Sequence, residues 1–99
     1  MINRILETYV RYGKSLEDLG LREVALPLSK AIQILEYCSN LEWTVLGGDV
    51  YEYTDSKKLE PTYENWFYSG NDSKESINKA YLFLQSLRNM DCFIVFVFE

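Results

Sequence analysis

Cys92-Phe93-Ile94-Val95-Phe96-Val97-Phe98 is an unbroken apolar run rich in β-branched and aromatic residues. It reads as a strand, and strand alternation sends Phe93, Val95 and Val97 to one face and Ile94, Phe96 and Phe98 to the other. A strand that is apolar on both faces needs an interior position in its sheet, with cover on each side. The run is far too short to cross a bilayer. In a chain of 99 residues, this one demand calls for helices laid over a small sheet.

The helices are written in the periodicity. Ile2, Ile5, Leu6 and Tyr9 recur at the spacing of one helical face, and Gly13 ends that helix. Leu16, Leu19 and Leu21 suggest a short further turn, interrupted by Gly20. Pro27 suits a helix N-terminus, where its missing N–H costs nothing. Leu28, Ala31, Ile32, Leu35 and Cys38 then form an apolar stripe that Ser39-Asn40 closes. From Trp43 the period changes to that of a strand over 43–46. Gly47-Gly48 reads as a bulge or a sharp turn, and 50–53 as a continuing or returning strand. Residues 54–61 are polar and predict a loop. Tyr63, Trp66, Phe67 and Tyr68 supply another short strand, and a turn follows. Asp72 and Glu75 have capping-box spacing, so a last helix starts there and buries Ile77, Ala80, Tyr81, Leu84 and Leu87. The expected fold is a single α+β domain over 1–99 in the order α-α-β-β-α-β. Its helices pack on a small, mainly antiparallel sheet of three to four strands.

The inventory removes whole classes of chemistry. The chain has no histidine, which excludes Ser-His-Asp and Cys-His catalysis and the HExxH zinc helix. Cys38 and Cys92 form no CxxC pair, so they read as two reduced, buried thiols. Asp49, Glu52 and Asp55 lack EF-hand spacing; neither a metal nor a cofactor is expected. A paired-carboxylate hydrolase needs a cleft for which so short a chain has little room. Ten basic against fifteen acidic residues give a net charge of −5. That balance argues against nucleic-acid binding and suits a basic protein partner. Arg4, Glu7 and Arg11 interrupt the opening stretch, so no signal peptide is read there. A cytoplasmic protein without membrane contact is expected.

The segment from Leu46 to Tyr68 stands apart. It opens Leu46-Gly47-Gly48-Asp49-Val50-Tyr51-Glu52 and closes Tyr63-Glu64-Asn65-Trp66-Phe67-Tyr68. Two glycines inside a strand weaken it and so need a reason. A bulge would re-aim Asp49 and Tyr51 and admit another chain close to the backbone; a plain hairpin corner is the alternative. Tyr and Trp give large, rigid contact area with a polar handle. Here they stand among Asp49, Glu52, Asp55, Glu60 and Glu64, with Lys57 and Lys58 as the basic residues. The predicted partner-binding residues are Asp49, Tyr51, Glu52, Tyr53, Tyr63, Glu64, Trp66 and Tyr68.

The pairing of Leu-Gly-Gly-Asp-Val-Tyr at 46–51 with Asn-Trp-Phe-Tyr at 65–68 resembles a family of small bacterial immunity proteins from polymorphic toxin systems. The likeness runs from about Leu19 onward and carries Gly47, Gly48, Asp49, Tyr51, Asn65 and Trp66 as its motif positions. It implies a non-enzymatic cytoplasmic protein that binds and neutralises a cognate toxin by stoichiometric inhibition; the aromatic residues set among carboxylates suit a basic target, such as the nucleic-acid-binding cleft of a nuclease. An adaptor or structural domain with a non-toxin partner is the alternative. If the sheet is too small to cover its own last strand, a second copy would do so; the chain is thus expected as a monomer or a homodimer.

Overall fold

The computed structural model describes residues 2–55 and 57–99. Met1 lies outside the described residues, as does Ser56, which falls in the loop expected at 54–61. In chain order the elements are α1 (Ile2–Tyr12), β1 (Lys14–Ser15), a 3-10 turn (Glu17–Leu19), β2 (Val24–Pro27) and α2 (Leu28–Leu41). Then follow β3 (Val45–Tyr53), β4 (Leu59–Phe67), α3 (Ser73–Ser86) and β5 (Cys92–Phe98). The strands form one sheet in the order β1-β2-β5-β3-β4, with every neighbouring pair antiparallel.

The α+β class stands, but the sheet has five strands rather than three to four, and the element order changes with it. β1 has two residues and β2 four, too few to display an alternating period. β2 also ends on Pro27, the residue that signals a helix start. Pro27 does both: at φ −52° and ψ 145° it finishes the strand in an extended conformation and serves as the N-cap of α2. The corner between β3 and β4 is shorter than the expected loop, because β4 resumes at Leu59.

β5 lies in the middle of the sheet, with Ile94 opposite Leu26 of β2 on one side and Val50 of β3 on the other. On one face Leu26, Val50, Ile94, Phe96 and Trp66 pack beneath Ala31, Ile34 and Leu35 of α2 and Ala80 and Leu84 of α3. Among the described residues, the cluster on the other face draws on no α-helix. There Ala25, Tyr51, Phe93 and Val95 cluster with Leu59 and Leu16, and Leu21 packs against them. The segment read as a short second turn is therefore the lid that β5 requires on its second side. Cys38 and Cys92 are both buried and free.

α3 is docked by its first turn. Asp72 Oδ1 accepts the Glu75 N–H at 3.1 Å, the cap expected from the sequence. Buried Ser76 accepts the Val45 N–H at 2.9 Å and donates to the Ser73 carbonyl at 2.8 Å. Ser73 in turn donates to the Trp43 carbonyl at 2.7 Å. These bonds tie the start of the helix to the start of β3. Two expected faces need correction. Tyr81 is 43% exposed, because α3 instead turns Phe83 inward to stack on Trp66. In α1, Ile5 is buried while Ile2 and Leu6 are exposed, since α1 rests on the fold along a narrow stripe through Ile5 and Tyr9.

Candidate protein-binding site

The glycine pair is explained by what surrounds it. β3 runs through Gly47 and Gly48 without turning, so the bulge reading holds and the hairpin-corner reading does not. The pairing with β5 shifts between Val45 and Gly47, leaving Leu46 as the extra residue. Gly47 has φ +152°, and a Cβ there would stand 2.3 Å from the Trp66 carbonyl oxygen. At Gly48 a Cβ would stand 2.5 Å from the Val95 carbonyl oxygen and 2.6 Å from Trp66 Cη2. Trp66 lies over this gap, stacked on Phe83 at 4.8 Å and edge-on to Phe96 at 6.0 Å. The Gly-Gly and the tryptophan are thus two halves of one packing arrangement.

Trp66, a predicted partner-binding residue, belongs to that arrangement, while Tyr51 packs in the cluster on the opposite face. Trp66, Tyr68 and Tyr51 are buried. The Tyr68 hydroxyl accepts the Asp72 N–H at 3.2 Å, pinning the turn into α3. Tyr51 sits opposite Phe93, and its phenol is pushed up by burial and then by the Glu23 and Asp49 carboxylates. These side chains hold the hairpin to the body and present little of themselves to solvent. The Trp66 Nε1–H is buried without a hydrogen-bond partner among the described residues.

The other five, Asp49, Glu52, Tyr53, Tyr63 and Glu64, are exposed. They do not share one face. Asp49 stands between Val95 and Asn65 on the side away from the helices. Tyr53, on that same side, sets its ring edge-on to Phe93 at 5.2 Å. Glu52 stands between Cys92 and Glu60 on the opposite side, as strand alternation requires of residues an odd number apart. The Cys92 thiol is pushed up to about 11 by burial and then by the carboxylates of Asp91, Glu64 and Glu52. Those acids therefore gather at the beginning of β5, where Asp91 and Glu60 join the predicted residues. Glu52 and Glu60 are like charges directly across a strand pair, which is destabilising.

β4 is the rim at which the two faces meet, and its register is broken. Asn65 pairs with Asp49 and Pro61 with Tyr51, so Thr62, Tyr63 and Glu64 all stand opposite Val50. Thr62 secures this bulge, donating to the Val50 carbonyl and accepting the Glu64 N–H, each at 3.1 Å. Tyr63 has φ +67° and is 86% exposed; Phe67, on the same strand, is 72% exposed. Lys79 of α3 sets its ammonium 5.4 Å from the Phe67 ring. Pro61, confined by its missing N–H to edges and bulges, was the available sequence signal that the strand is an irregular edge.

Charge divides along the same line. The three α-helices hold five basic and three acidic residues, and the rest of the chain holds five basic and twelve acidic. β3 and β4 contain Asp49, Glu52, Glu60 and Glu64 and no lysine or arginine. A separate apolar groove lies between α2 and α3, lined by Ile32, Leu35, Ile77 and Tyr81, with Glu36 and Lys74 at its margin. None of the five concavities described brings two carboxylates together. Among the described residues no group of three or more cysteine or acidic side chains is placed to hold a metal ion. No helix among them is long and apolar enough to cross a membrane.

The family model described as Immunity protein 40 matches residues 15–98. The chain belongs to this family. The match takes in the whole sheet from Ser15 onward, the glycine pair, Trp66 and the acidic hairpin, and leaves α1 outside. Comparison with curated proteins and with solved structures finds no match.

Proposed function

We propose that this immunity-family protein neutralises a cognate toxin inside the producing cell by binding it stoichiometrically, without catalysis of its own. Membership of the Immunity protein 40 family carries the reading. The charge distribution supports its electrostatic form. With four carboxylates and no cation on β3 and β4, the hairpin suits a toxin whose own surface is basic, as a nucleic-acid-cleaving domain would be. Asp49, Glu52, Tyr53, Tyr63 and Glu64 are the contact residues in this reading, while Tyr51, Trp66 and Tyr68 fix the strands that carry them.

The test is co-expression with the toxin domain encoded beside this chain's gene. Growth should be restored by the chain, and the two proteins should co-purify at one to one. Association should slow as salt is raised, because opposite charges steer the encounter. A neighbouring protein that is not toxic, or toxicity that the chain leaves unchanged, refutes the proposal.

A further inference from the structure

The hairpin's most unusual residue is Tyr63. A non-glycine residue at positive φ is uncommon, and an aromatic one is more so. The αL region is filled chiefly by glycine and asparagine. Here a bulge with two extra residues imposes it, Thr62 holds the bulge from both sides, and the ring it carries stands in solvent. The fold gains no burial from that ring. Backbone irregularity maintained around an exposed side chain points to a use for the side chain.

We infer that β4 is the strip along which the toxin docks, and that its bulge presents Tyr63 as the anchor inserted into a basic, cleft-bearing partner. This rests on the function proposed above and narrows it to one edge. A tyrosine carries contact area with few rotatable bonds, which is why such residues dominate interface energetics. Glu60 and Glu64 flank it, and Phe67 continues the exposed apolar line toward Lys79. Charge also selects the occupant. A second copy pairing through β4 would bring two sets of Glu60 and Glu64 together, and the bulge and Pro61 obstruct a regular ladder. A cationic partner meets attraction from Glu60 and Glu64 and has no need of a continuous strand.

The experiment measures binding of the neighbouring-gene toxin domain, in catalytically inactive form, to the full chain and three variants. Tyr63→Gly and Tyr63→Asn remove the ring and place at that position a residue suited to positive φ. Both should therefore unfold at a urea concentration no lower than the parent while binding about thirtyfold or more weakly. Tyr81→Ala, in the α2–α3 groove, should bind like the parent. Tyr63 variants that bind within about threefold of the parent overturn the inference, as does a loss confined to Tyr81→Ala. A parent chain that sediments as a dimer which Tyr63→Gly dissociates assigns the edge to self-pairing and overturns it as well. Failure of the parent itself to bind removes the proposed function, and this inference with it.

Discussion

Gly48→Ala probes whether the glycine pair exists to admit Trp66. Gly48 does not have the positive φ of Gly47, so alanine faces no conformational obstacle and the effect is steric. Its methyl would lie 2.5 Å from the Val95 carbonyl oxygen, 2.6 Å from Trp66 Cη2 and 2.8 Å from Trp66 Cζ3. Comfortable carbon contacts lie at about 3.5–4.0 Å, so room of roughly 1 Å must be found on two sides. Neither neighbour yields easily. Val95 belongs to the central strand, held by β2 and β3, and the Trp66 ring is packed by Phe83 and Phe96. Overpacking of this kind costs about 1–3 kcal/mol, and the rigid backbone oxygen places this case near 3. For a domain of this size that is a fall in Tm on the order of 15 °C. Urea and thermal unfolding followed by far-UV circular dichroism measure it. Repeating the change in a Trp66→Leu background separates the two obstacles. The ring's share disappears and the oxygen's remains, so the double variant should be more stable than additivity predicts by about 1 kcal/mol. A Gly48→Ala protein within about 0.5 kcal/mol of the parent, in the range of an inconsequential surface change, refutes the steric account. Strict additivity refutes the part assigned to Trp66.

Ser76→Ala should cost about 1–3 kcal/mol by leaving the Val45 N–H buried and unpaired, and an unchanged urea midpoint would show that β3 does not depend on this anchor. Glu60→Lys should replace the Glu52–Glu60 repulsion by attraction and stabilise the fold by about 0.2–1 kcal/mol, while slowing association with the toxin domain at low salt. A variant that is both more stable and as quickly bound removes Glu60 from the docking strip. Stability should also fall in alkali. Cys38 and Cys92 are each pushed up to about 11 from an ordinary 9.0, first by burial. Between those values the unfolded chain releases thiol protons that the folded chain retains, so their contribution is complete below pH 9 and is lost as pH rises through 11. Urea midpoints at pH 8 and pH 10.5 should differ less in a Cys38→Ala, Cys92→Ala chain than in the parent; equal differences refute the assignment to the thiols.

The parts of this fold visible in the sequence are those that repeat a pattern over enough residues. Leu28 to Cys38 spans a full helical stripe, the Asp72–Glu75 cap is a local bond between near neighbours, and Cys92–Phe98 states its own need for cover on two faces. β2 was hidden because four residues ending in proline look like a helix approach, and its identity as a strand comes from Ile94, far along the chain. Tyr81 and Phe83 could not be ranked without knowing that Trp66 would claim a stacking partner on α3. The candidate site was legible in composition and not in geometry. Its acids and rings stand out together along the chain, but burial separates Tyr51, Trp66 and Tyr68 from the exposed residues. Strand alternation then put Asp49 and Glu52 on opposite faces. The bulge that lifts Tyr63 depends on the register of β4 against β3, a relation between two segments that neither one encodes alone.

The position of β5 carries a consequence for how the protein comes into being. A nascent chain that has emerged from the ribosome only through α3 possesses β2 and the β3–β4 hairpin as separate pieces, since the strand that bonds to both is the last to appear. Most of the sheet's long-range pairing must then close in one late event, which topology makes slow relative to a helical bundle. Under the proposed function, a copy becomes able to bind its toxin only once β5 has emerged and joined β2 to β3.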